Sequence, residues 1–346
     1  MSFRSVVATN LVRMVGVMVF AAGALEVSLM NESLIHAQPS QNTARPNLRL
    51  PDEAGGIDEI VRTLISAFDQ VDVLALGEVH GRKADSDLRI ALVRHPDFAT
   101  KVRYIVVEFG STTEQATLDR YIRGENISGA QLAQVWKTTT QAANGVWEDP
   151  IYMDFLAAIR DVNSKLPVSA RIRVLGGDPG PGDNRSRETA AVAILKEQVL
   201  QKHAKALVIY GAAHFYRNAP KDYWANMGDD IGIARMLEKD YPGRTFVVIP
   251  VGGPLHIPPG AAAVDPDYRK FDRALKTQVR PVLAPLQRSP FRDFTAEEFM
   301  GNTIFNCRGP GGCRSIFQGS PLTLGQMADA CVYVGADVDM KARAGR

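Results

Sequence analysis

Val71-Asp-Val-Leu-Ala-Leu-Gly77-Glu78-Val79-His80-Gly81 is an apolar run that stops abruptly at Gly-Glu-x-His-Gly. A short stretch rich in Val and Leu and cut off by glycines reads as a buried strand. Its end delivers a carboxylate, Glu78, and an imidazole, His80, to one turn. Far downstream, Ala206-Leu-Val-Ile-Tyr210-Gly211-Ala212-Ala213-His214 repeats the arrangement as an apolar run ending in Gly-x-x-His. In open α/β sheets ligands bind outside the carboxyl ends of the strands, so the two motifs predict one shared site.

Working outward, Arg103–Gly110 reads as a second buried strand that ends in Glu108, followed by Ser111-Thr-Thr-Glu114 as a capping box that starts a helix. A carboxylate just ahead of a helix N-terminus is favoured in its ionised form. Arg171–Asp178 ends in another carboxylate, Asp178, with Pro179-Gly-Pro-Gly-Asp183 as a non-helical exit, and Thr245–Pro250 is a fifth apolar run. Between the runs lie helical spacings: Ile60, Val61, Leu64, Ile65 and Phe68; then Leu88, Ala91 and Leu92 behind Asp85 as cap; then Ile151 to Val162; then Val192, Leu195 and Val199; and 231–237. Strands alternating with helices predict an α/β fold with a central, mostly parallel sheet and helices on both faces. After Val251 the prolines at 254, 258, 259 and 266 break the pattern, and Met327–Val334 reads as a strand by which an irregular C-terminal extension rejoins the sheet. The expected organisation is a signal peptide and export region over 1–37, a linker over 38–56, the α/β domain with the site over 57–255, and the extension over 256–346 packed on it.

The 346 residues are 45% hydrophobic and 23% charged, as in ordinary globular chains. A net charge of only +2, with no long run of Lys or Arg, excludes a nucleic-acid partner at the level of sequence. Arg4 and Arg13 lead into the apolar stretch Met14–Ala24, which has the length of a signal-peptide core and is short for a membrane span. Cleavage after Ala24 or Ala37 predicts a periplasmic or secreted protein, with membrane contact only through an uncleaved segment. Of three cysteines, Cys307 and Cys313 could close a small loop in an oxidising compartment, whereas Cys331 lies in an apolar run and reads as core.

Collected at the strand ends are Glu78, His80, Glu108, Asp178 and His214, with Tyr210, Arg82 and Arg123 as further polar candidates. A His oriented by a carboxylate takes a proton from water near neutral pH, and an Arg stabilises the resulting oxyanion. His80, His214, Glu78 and Glu108 are equally a donor set for a divalent metal that activates the water. Trp136, Trp147, Tyr152 and Trp224 are expected in core or cap packing.

Gly77-Glu78-Val79-His80-Gly81, Val107-Glu108, Tyr121-Ile-Arg-Gly124, Phe155–Asn163, Gly177-Asp178 and Gly211-Ala-Ala-His214, in that order, resemble the landmarks of the erythromycin esterase-like superfamily. That superfamily also takes in ChaN-like haem-binding lipoproteins and Tiki/TraB-type proteins. The resemblance covers roughly 57–255 and implies a parallel sheet with a polar cleft. In the esterase branch it implies water activated by the residues matching Glu78, His80, Glu108 and His214; in the Tiki branch, metal-dependent proteolysis; in the ChaN-like branch, haem binding. The chain departs from the esterases in having one residue, not two, between Glu78 and His80. The leading expectation is therefore an exported hydrolase of an ester or amide bond in a small molecule or peptide. In it Glu78, His80, Glu108 and His214 are catalytic, and Arg82, Arg123, Asp178 and Tyr210 contact substrate. The alternative is a haem- or iron-binding protein with His80 or Tyr210 as axial ligand; a third reading makes the Pro-rich C-terminal region an interaction surface.

Overall fold

Along the strand Val73–Glu78, Leu74 and Leu76 pack into one apolar layer while Val73 and Ala75 pack into another. Side chains alternate across a strand, so a run that is apolar at every position requires cover on both faces. The computed structural model shows that cover; it describes residues 45–219, 232–251, 281–300, 305–306, 314–315, 317 and 319–334. These residues belong to one compact unit spanning Thr43–Arg346.

In chain order the elements are β1 (Ala54–Gly55), α1 (Ile57–Ala67), β2 (Val73–Glu78), α2 (Lys83–Arg94), α3 (Phe98–Lys101), β3 (Tyr104–Ser111), α4 (Gln115–Ile122), α5 (Gly129–Lys137), α6 (Pro150–Ser164), β4 (Arg173–Asp178) and α7 (Arg187–Gln198). There follow β5 (Ala206–Gly211), α8 (Ile233–Glu238), β6 (Thr245–Pro250), β7 (Val282–Pro285), α9 (Ala296–Met300), β8 (Phe305–Asn306), β9 (Arg314–Ser315), α10 (Leu324–Met327) and β10 (Ala330–Tyr333). Eight strands form one sheet in the order β1-β7-β10-β6-β2-β5-β3-β4, and β8 and β9 form a separate antiparallel pair. From β10 to β4 the neighbours run parallel; only β7 and β1 add antiparallel pairings at one edge. Helices α1 to α6 cover one face, and α7, α8 and the C-terminal segment cover the other. The expected α/β architecture, including the return of 330–333 to the sheet, is the observed one. Among the described residues no helix is long and apolar enough to cross a membrane.

Local chemistry sets several of the helix starts. Ser128 and Gln131 form a reciprocal capping box for α5, Asp149 caps α6 ahead of Pro150, and Ser186 caps α7 through the Thr189 amide at 3.0 Å. Two expected starts are corrected. Asp85 is not the cap of α2 but lies in its first turn, where it accepts from the Val79 amide at 2.8 Å and pairs with Arg82. Ser111 caps a short 3-10 turn over Thr112–Glu114, and α4 begins only at Gln115, so Glu108 does not sit against a helix N-terminus.

The stretch expected to be a linker is docked from residue 45 onward. Ala54 pairs with Leu283 in the sheet, and Arg45 donates to the carbonyls of Gln326 (2.7 Å) and Ala328 (3.2 Å) at the end of α10. The export region 1–37, Trp224 and the Cys307–Cys313 loop lie outside the described residues; Cys331 is buried with a free thiol.

Arg217 ties the C-terminal segment to the exit of β5. Its guanidinium is fully buried and bonds Asp329 (2.6 Å), Glu238 (2.9 Å) and the Thr245 carbonyl (2.5 Å). Removing one member of a buried ion network strands the other charges. Arg217→Ala is therefore expected to destabilise the fold by about 3–5 kcal/mol, read as a lower urea midpoint; a midpoint within error of the parent would contradict the assignment.

Candidate functional site

β2 and β5 are adjacent and in register, with Gly77 opposite Tyr210 and Glu78 opposite Gly211, and β3 lies on the far side of β5. Their carboxyl ends therefore open side by side. A side chain at Gly211 would place its Cβ 2.9 Å from His80 Nε2, so glycine there lets the imidazole lie over the end of β5. The β3–β4 register shifts between Val107 and Ser111, an irregularity in the stretch that carries Glu108.

Two buried carboxylates organise the site. Glu78 Oε1 lies 2.9 Å from His80 Nδ1 and accepts from the Tyr152 hydroxyl at 3.1 Å, while its Oε2 pairs with Arg89. Arg89 is itself buried, with its guanidinium carbon 5.2 Å from the Tyr152 ring centre and 5.3 Å from that of Phe155. Burial alone would raise the Glu78 pKa, but Arg89 and the bond to His80 outweigh it and leave it below the usual value. Glu108 Oε2 accepts from the Gly211 amide at 2.8 Å, and its Oε1 pairs with Arg187 and lies 3.2 Å from His214 Nε2. Here too burial opposes ionisation, and His214 above all, then His80 and Arg187, more than offset it, so the carboxylate is held ionised.

The two histidines differ in kind. His214 is buried between two carboxylates, with Nδ1 2.6 Å from Glu188 and Nε2 3.2 Å from Glu108. Burial pulls its pKa down, but Glu108 and Glu188 prevail and raise it to about 9, so it is an imidazolium at neutral pH. His80 keeps about a third of its side chain exposed, has a carboxylate at bonding distance on Nδ1 only, and has Glu108 3.9 Å from Nε2. Burial works to lower its pKa, but the bond to Glu78 and the charges of Glu78 and Glu108 prevail and raise it. Trp147 packs edge-on against the His80 ring at 4.7 Å between centroids.

The strand ends thus bring together Glu78, His80, Glu108 and His214. Of the four expected substrate contacts, Tyr210 meets this set through its ring, edge-on to His214 at 5.7 Å between centroids, while Asp178, Arg82 and Arg123 are engaged elsewhere. Asp178 is buried and accepts from the amide (2.9 Å) and hydroxyl (2.6 Å) of Thr140 and from the Gly180 amide (2.8 Å), so it fixes the neighbouring loops. Tyr210 has no exposed surface, and its hydroxyl is pressed against Gly177, where a Cβ would meet it at 2.0 Å. Arg82 is buried and pairs with Asp85, and Arg123 pairs with Glu125 at the exposed end of α4. The cation at the rim is instead Arg187, whose side chain is 21% exposed beside Glu108.

Sequence reasoning missed Arg89, Arg187 and Glu188, and it placed Tyr152 and Trp147 in packing alone. Glu188 and Arg187 had a signal: they follow Ser186, a capping residue, at the start of a helix that leaves a strand ending in Asp178. Arg89 lies one helical turn after Asp85, on the face of α2 that carries Leu88 and Leu92 into the core.

His214 gains its proton affinity only on folding, so its contribution to stability is complete below 6.5, its ordinary value, and is lost as pH rises through about 9. The urea midpoint is expected to fall across that interval, and His214→Gln is expected to flatten the dependence. A midpoint that rises from neutral pH towards pH 9 would contradict the buried imidazolium.

No family model and no curated protein matches the chain. In structure it is similar to a protein from Bacillus cereus, at 12% identity over 85% of this chain and 95% of that one, with a TM-score of 0.53. It is also similar to a mutant of the erythromycin esterase EreC in its open conformation, at 10% identity over 81% and 97% of the two chains with a TM-score of 0.48. ChaN of Campylobacter jejuni, solved with cofacial haem, matches at 14% identity over 57% and 87% with a TM-score of 0.35. The likeness is one of fold alone: this chain is an α/β protein built on a mostly parallel sheet.

Proposed function

We propose that the chain is a hydrolase that cleaves an ester or amide bond with water activated by His80. The observation that carries this reading is the Glu78–His80 pair, 2.9 Å apart at the end of β2, with Nε2 turned away from Glu78. Glu78 is ionised and can only accept, so the bond requires the hydrogen on His80 Nδ1. Neutral His80 then carries its lone pair on Nε2, which is the atom that takes a proton from water. His214 cannot share that role, because the carboxylates on both its nitrogens keep it protonated.

Charge counting isolates the same group. The carboxylates of Glu78, Glu108 and Glu188 face the guanidiniums of Arg89 and Arg187 and the imidazolium of His214. They balance, and His80 is left as the group free to change charge. In the reaction water adds to the carbonyl as its proton passes to Nε2. The imidazolium so formed is held by Glu78, and the tetrahedral oxyanion faces Arg187 at the rim. Return of the proton from Nε2 to the departing oxygen or nitrogen breaks the scissile bond and restores neutral His80.

The residues do not fit a metal. Both Oε atoms of Glu78 and of Glu108 and both nitrogens of His214 are already engaged, and among the described residues no group of three or more His, Cys, Asp or Glu side chains is arranged to hold an ion. For haem, Tyr210 is shut in the core, which leaves His80 as the axial ligand of that reading. Export through 1–37, and a small molecule or peptide as substrate, complete the proposal.

The test is a panel of aryl esters, lactones and anilides. His80→Ala is expected to lower kcat/KM by about 10²–10⁴ with the fold intact. Because the base acts unprotonated and its pKa is raised, the rate is expected to climb with pH through a value above 6.5. Equal turnover by His80→Ala and the parent on every substrate cleaved would remove the assignment. Arg187→Met is expected to cost about 10²-fold in kcat, as loss of an oxyanion contact.

A further inference from the structure

Tyr152 reads as a core aromatic, and its ring behaves as one. It has no exposed surface, lies tilted on Phe109 at 4.9 Å between centroids, and meets Trp147 edge-on at 5.2 Å. That packing uses the ring and leaves the hydroxyl unexplained, since phenylalanine would fill the same space without a polar atom to satisfy. The hydroxyl has two partners. It lies 3.1 Å from Glu78 Oε1 and accepts from the Gly81 amide at 3.1 Å. Burial, and next the charge of Glu78, keep the phenol protonated far above neutral pH, so it donates to the carboxylate.

The two partners flank His80, Glu78 two residues before it and Gly81 one after. Gly81 has a φ of +74°, in the left-handed region, and is where the chain turns out of β2. A single buried hydroxyl on α6 therefore clips both ends of the turn that carries the imidazole. It also fills part of the acceptor capacity of the oxygen that receives His80 Nδ1, which fixes where that oxygen sits. The clip is itself held from behind: the Tyr152 ring lies against the Arg89 guanidinium, and Arg89 pairs with the other oxygen of Glu78.

We infer that Tyr152 is a positioning residue for the base: its hydroxyl locks Glu78 and Gly81 together so that His80 keeps its hydrogen on Nδ1 and presents a bare Nε2. The kinetic consequence rests on the hydrolase reading above; the clip itself does not. Tyr152→Phe keeps the ring and removes one oxygen, so the fold is expected to persist, and a far-UV spectrum and Tm confirm it.

The experiment compares the tautomer of neutral His80 by nitrogen-detected NMR in the parent and in Tyr152→Phe, together with steady-state kinetics on a cleaved ester. The expected result is Nδ1–H in the parent, a mixture that includes Nε2–H in the variant, and a kcat lowered about tenfold with KM little changed. In a His80→Ala background the same substitution is expected to leave the residual rate unmoved. An unchanged Nδ1–H tautomer in Tyr152→Phe overturns the inference, whether or not Tm falls, because a structural role lowers Tm alone. The NMR readout needs no substrate. A chain that hydrolyses nothing on the panel thus loses the proposed function while the clip still stands or falls on the tautomer.

Discussion

Glu108 is the carboxylate on which the rest of the site depends. It is 1% exposed, and an unpaired carboxylate at that depth would cost several kcal/mol. Its partners come from three places: the Gly211 amide at the end of β5, Arg187 at the start of α7, and His214 in the turn beyond β5. Each requirement brings another. His214 in turn engages Glu188, one residue after Arg187, so the start of α7 is pinned to the exit of β5 by two opposite charges in succession. Glu78 repeats the logic two strands away, across β5, with Arg89 as the buried cation and a cage of rings around it.

The same constraint gives two identical side chains different chemistry. Both histidines follow a Gly at a strand end, yet His214 has a carboxylate on each nitrogen and His80 has one at bonding distance. A second carboxylate converts a titrating imidazole into a fixed cation, which then serves to hold Glu108 ionised. Desolvation alone would have pushed both rings towards the neutral form. The balance is decided by partner count, not by depth.

What could be read from the chain follows from this. Apolar runs that need cover on both faces are legible as parallel strands, and the polar residues that end them are legible because strand ends are fixed by the sheet. Glu78, His80, Glu108 and His214 were found that way. Residues that reach the site from helices were not, since whether Arg89, Tyr152 or Glu188 faces the strand ends depends on how each helix docks. Arg123 shows the converse error. It lies in a recognisable motif, but α4 carries it away from the strand ends to an exposed pairing with Glu125. Asp178 ends a strand as expected, and the tight loop behind it consumes its oxygens before a ligand could.

The central claim is that the paired carboxylates divide the two histidines into one base and one imidazolium that keeps its charge through neutral pH. A titration of both imidazoles by NMR in the intact protein, from pH 5 to about 10, tests it most directly. The account predicts that His80 deprotonates first and keeps its hydrogen on Nδ1, while His214 holds both protons until about pH 9. A His214 that becomes neutral before His80 does would contradict it.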